Sequence, residues 1–112
     1  MTIEQRTVGA VTVLDLSGRL VFGDGSGLLK DKVQSLVFQG QKQILLNLAG
    51  VSYMDSAGLG ELIATRATVA RQEGAIKVAN LTKRVSDLLA IAKVSTVFDV
   101  YDSEADAIKA FS

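Results

Sequence analysis

Asp55 and Ser56 are the residues through which this chain can do chemistry: they stand side by side where an apolar, strand-like run gives way to an amphipathic helix, and Gly58 and Gly60 follow within four positions. A hydroxyl at such a junction can serve as a nucleophile or as a phosphoryl acceptor. The nucleophile needs a base, yet the chain has no histidine and no lysine near Ser56 in sequence. Phosphorylation needs only an accessible hydroxyl, and the resulting dianion would sit at the positive end of a helix. Placed at the N-cap, Ser56 would also accept a backbone N–H of the first turn, worth about 1 kcal/mol. The expectation is therefore a capping Ser56 that doubles as a phosphorylation switch on a protein-binding surface. Gly58 and Gly60 each cost about 1 kcal/mol relative to alanine inside a helix. Close packing against a neighbouring strand, or the approach of a partner's backbone, would offset that cost.

The elements that must position this pair follow from periodicity. Ile44-Leu45-Leu46-Asn47-Leu48 is an almost continuous apolar run, the pattern of a strand buried on both faces. Residues 57 to about 73 follow as a helix with Leu59, Leu62, Ile63, Arg66, Ala67 and Ala70 along one side. Asp55 and Ser56 then lie beyond the carboxyl end of the central strand, where α/β sheets place functional loops. Upstream, residues 3–8 and 11–16 read as a β-hairpin about Gly9-Ala10, with Leu14 and Leu16 facing the core. Residues 17–27 read as a glycine-rich loop, and residues 28–39 as a helix capped by Asp24 or Ser26 and stopped at Gly40. Downstream come a strand at 75–79, a helix with Val85, Leu88, Leu89 and Ala92 on one face behind a Thr82 cap, a strand at 97–100, and a last helix capped by Ser103. The order ββαβαβαβα argues for one α/β domain over residues 1–112 with a mixed sheet.

Composition narrows the function classes. Twelve basic and twelve acidic residues cancel, so no global field draws the protein to nucleic acid or an anionic membrane. Cysteine and histidine are both absent, which removes thiolate chemistry and the commonest metal ligand, and no cofactor is expected. No apolar run approaches the roughly 20 residues that span a bilayer, and residues 1–6 lack a signal peptide's apolar segment. A cytoplasmic protein without membrane insertion is expected. Gly23-Asp24-Gly25-Ser26-Gly27 lacks the Gly-Lys-Ser/Thr ending of a phosphate-binding loop. Asp55 lacks the companion acids of a phospho-receiver.

Asn47-Leu48 followed by Met54-Asp55-Ser56-Ala57-Gly58-Leu59-Gly60 resembles the signature of STAS domains, and specifically of bacterial anti-sigma factor antagonists. The resemblance extends over the hairpin, the Leu16-Ser17-Gly18-Arg19-Leu20 turn and the C-terminal helices. It implies a single STAS-like α/β domain whose mixed β-sheet carries its helices mainly on one face. It further implies a non-enzymatic switch in which Ser56, preceded by Asp55, is phosphorylated by an anti-sigma factor that is itself a serine kinase. The unphosphorylated form binds that kinase and frees the sigma factor, and a serine phosphatase resets the cycle. Asp55, Ala57, Gly58, Leu59, Gly60, Val21 and Phe22 are the expected partner-binding residues, and a weak homodimer is compatible with the pattern. Antagonists usually carry a second Ser or Thr where this chain has Ala57, and an acid where it has Val21. Val21 with Phe22 is either a loop anchor or a changed docking surface. The rival reading is a non-switching STAS interaction subunit of a stress-signalling or lipid-transport assembly.

Overall fold

The computed structural model describes residues 1–21, 27–93 and 97–111. Its elements run β1 (Thr2–Val8), β2 (Val11–Leu20), α1 (Leu28–Phe38), β3 (Gln43–Met54), α2 (Ser56–Arg71), β4 (Ala75–Ala79), α3 (Lys83–Ile91), β5 (Val100–Tyr101) and α4 (Glu104–Ala110). The five strands form one sheet in sequence order, antiparallel between β1 and β2 and parallel thereafter. It is the mixed sheet that the alternation of elements predicts.

Both faces of the central strands are buried, which explains the unbroken apolar run. Leu14, Leu16, Ile44, Leu46 and Leu48 pack with Leu29, Val33 and Leu36 of α1, Leu59, Leu62 and Val69 of α2, and Val85 and Leu89 of α3. On the opposite face Val11, Val13 and Leu45 meet Ala79 of β4 and Ala107 of α4. Three helices thus lie on one side and one on the other.

Several boundaries differ from the sequence reading. Residues 17–20 belong to β2 instead of opening a loop. Glycine at 18 takes φ +108, and register shifts flank it on pairing with β3, so the strand bends without ending. β3 likewise runs through Ala49-Gly50 to Met54. The last strand is reduced to Val100–Tyr101, with Phe98 buried before it. The buried side of α2 is Gly58, Leu59, Leu62, Thr65, Thr68 and Val69, whereas Arg66 and Ala70 face solvent. Two threonines pass as core residues because their hydroxyls donate to the carbonyls of Glu61 and Ala64, at 2.8 and 3.0 Å. Thr82 and Ser103 do cap their helices, accepting the amides of Val85 and Asp106. In α3 Val85 and Leu89 are buried, Leu88 is half-buried and Ala92 is exposed. The proposed caps Asp24 and Ser26 lie outside the described residues.

Candidate functional site

Leu20 pairs with Met54 in parallel register, so Val21 and Asp55 leave the sheet side by side at its carboxyl edge. Asp55 is the N-cap of α2, in extended conformation, and its Oδ1 accepts the Gly58 amide at 2.8 Å. Its own amide donates to the Leu20 carbonyl at 3.3 Å, and its carbonyl accepts the Leu59 amide at 2.9 Å. The expected cap at Ser56 is thereby corrected. An aspartate caps as well as a serine and adds a charge that suits the helix N-terminus, so Ser56 becomes the first helical residue, with its side chain exposed.

The remaining motif residues divide between surface and interior. Ala57 and Gly60 are exposed, and a Cβ at Gly60 would meet nothing within 4 Å. Gly58 is buried, and a Cβ there would lie 1.9 Å from the Leu20 carbonyl oxygen. Its explanation is close packing within the chain, not the approach of a partner. Leu59 is 7% exposed and belongs to the core. Val21 is half-buried; Phe22 lies outside the described residues. The outward part of the predicted surface is accordingly Ser56, Ala57 and Gly60, with part of Val21.

Three features escape the sequence reading. The Glu61 carboxylate accepts the amides of Gly27, Leu29 and Lys30 at 2.8, 3.0 and 3.3 Å, so a side chain of α2 caps α1. The Tyr53 ring carries the guanidinium of Arg19 at 5.6 Å and that of Arg84 at 5.3 Å. On the α4 face, Arg6 donates to Asp15 at 2.7 and 3.0 Å and to Glu104 at 2.9 Å. Hydrogen bonding to Arg6 holds both carboxyls below the usual carboxylate range. Asn47 extends that network, donating to Asp15 at 2.9 Å and accepting from Asn80 at 3.3 Å. Among the described residues no cluster of three or more acidic side chains is placed to hold a metal ion. No helix among them is long and apolar enough to cross a membrane.

The STAS domain model matches residues 2–107, and the chain belongs to the STAS domain family. It is similar to the anti-sigma-B factor antagonist of Bacillus subtilis, 36% identical over 73 residues that make up 65% of this chain and 66% of that protein. An anti-sigma factor antagonist from Mycobacterium paratuberculosis superposes with a TM-score of 0.84 at 20% identity, over 97% of this chain and 92% of that one. The phosphorylated form of the Bacillus cell fate determinant SpoIIAA superposes at 0.74 and 19% identity, over 99% of this chain and 100% of that one. These two likenesses concern the fold.

Proposed function

We propose that this protein is an anti-sigma factor antagonist whose binding state is set at Ser56. The unphosphorylated protein binds an anti-sigma factor serine kinase and so releases the sigma factor. Phosphorylation of Ser56 ends the complex, and a serine phosphatase restores it. The observation that carries this reading is the exposed Ser56 at the first position of α2, relieved of capping by Asp55. The relatives named as antagonists support the partner class.

The chemistry is that of an interface. Asp55 already takes the Gly58 amide and its own amide donates to Leu20; helix geometry leaves the other first-turn amides without intrahelical carbonyl partners, and these, with the helix dipole, favour a phosphate. A partner covering the site would have to desolvate a dianion, at several kcal/mol unless it supplied cations. Phosphate on Ser56 therefore acts as a release signal. Val21, in place of the usual acid, favours the second reading, a STAS subunit that binds without switching. Mass spectrometry of protein from its native cells decides between them, together with binding of wild type, Ser56→Ala and Ser56→Asp to the ATP-binding anti-sigma factors of the same cells. The switch requires phosphate on Ser56 and weakened binding by Ser56→Asp. An unmodified Ser56 with full binding by Ser56→Asp establishes the non-switching subunit.

A further inference from the structure

We infer that the groove between the end of β3 and the outer face of α3 docks an acidic, amphipathic segment of a protein partner. The groove measures about 530 Å³ and is walled by Tyr53, Met54 and Leu88, with Ile91 standing 79% exposed at its margin. β4 pairs with β3 only from Gln43 to Asn47, so the last residues of β3 project past their neighbour and leave this space open. Arg84, Leu88 and Ile91 recur at i, i+4 and i+7. One face of α3 therefore presents a cation and then two apolar side chains over about 10 Å of helix axis.

Charge sets the polarity of the occupant. Lys83 and Arg84 open α3 with no acid in its first turn, an arrangement that the helix dipole disfavours. Asp87, the acid that lines the groove, is paired with Lys83 at 2.9 Å. Arg84 and Arg19 instead lie over the Tyr53 ring, and neither meets a carboxylate among the described residues. A π-face holds a guanidinium in place while leaving its N–H fork available for bidentate pairing with a carboxylate. Cations beside an apolar ridge fit a helix whose leucine-type side chains are flanked by glutamate or aspartate. The inference rests on the antagonist reading only in taking the partner to be a protein, and the groove does not include Ser56.

The test is an NMR titration of the ¹⁵N-labelled protein with a synthetic peptide about four helical turns long, with leucines on one face and glutamates around them. A second peptide replaces each glutamate with lysine. The glutamate peptide is expected to shift the amides of Tyr53, Arg84, Leu88 and Ile91. Arg19→Glu/Arg84→Glu and, separately, Ile91→Ser should each weaken it about tenfold or more, with melting temperatures near that of wild type. Equal binding of the lysine peptide, shifts confined to other surfaces, or full binding by the folded variants would overturn the proposal. Because the peptide stands in for the docking segment of the partner and the groove does not include Ser56, this result is independent of whether Ser56 is ever phosphorylated.

Discussion

The Asp55 carboxylate accepts the Gly58 amide at 2.8 Å, and this bond separates the residue that starts the helix from Ser56, the hydroxyl proposed as the switch. Asp55→Ala should therefore lose about 1 to 2 kcal/mol in denaturant unfolding, while Ser56→Ala should stay within about 0.5 kcal/mol of wild type. Equal losses from the two would mean that the hydroxyl shares the cap.

Ser56→Asp tests the charge balance at the same helix end. A carboxylate there gains up to about 1 kcal/mol from the helix N-terminus, and at about 4 Å from Asp55 in a water-like dielectric it loses about 1 kcal/mol to repulsion. A phosphate doubles the repulsion at most. Calorimetry should find the Ser56→Asp melting temperature within a few degrees of wild type, and a drop of tens of degrees would refute this balance.

The two motif glycines should respond in opposite directions. Gly58→Ala forces a methyl group to 1.9 Å from a backbone oxygen of β2, which only a main-chain shift relieves, so a loss of about 3 kcal/mol or a failure to fold is expected. Gly60→Ala enters open space inside a helix and should gain about 1 kcal/mol. If Gly60 touches the partner, that gain comes with weaker binding, which calorimetric titration separates from stability.

Element order, the central buried strand and two of the helix caps were legible in the sequence because each is a local pattern. Thr82 and Ser103 cap three residues ahead, within reach of a sequence window. The errors arose where a distant residue decides the outcome. The strands read as ending at Leu16 and Leu48, ahead of Gly18 and Gly50, whereas both continue through those glycines. A Cβ at Gly50 would meet Ser17 Oγ at 2.6 Å and the Leu16 carbonyl at 2.7 Å, so glycine there permits the two strands to approach. Ser56 and Asp55 are both good caps, and the choice between them depends on where β3 stops, which its pairing with Leu20 fixes. No local signal joins Arg19, Tyr53 and Arg84.

Glu61 is the plainest case of a long-range role hidden in an ordinary residue. Three amides at the start of α1 converge on its carboxylate, and the Gly27 cap position supplies no side-chain acceptor. Glu61→Ala should cost about 1 to 2 kcal/mol. Hydrogen exchange at Leu29 and Lys30 should accelerate more than at Val69, at the far end of α2, and uniform acceleration would show that Glu61 stabilises the domain globally instead.

Arg6 should govern how the fold responds to acid. Its hydrogen bonds hold the Asp15 and Glu104 carboxyls below the usual range, so in acid the folded protein binds fewer protons than the unfolded chain. The stability these groups contribute is complete above the unfolded carboxyl pKa of about 4 and is lost as pH falls through the lower folded values. Arg6→Gln removes the cation and leaves two neighbouring carboxylates without it. That variant should be less stable than wild type at pH 7, and the two should converge as pH is lowered from about 5 towards 2. With side chains 40% exposed for Arg6 and 30% and 29% for its partners, added salt should narrow the gap at neutral pH. Parallel curves of unfolding free energy against pH for the two proteins would show that Arg6 acts through packing, since only a proton-linked interaction makes them converge.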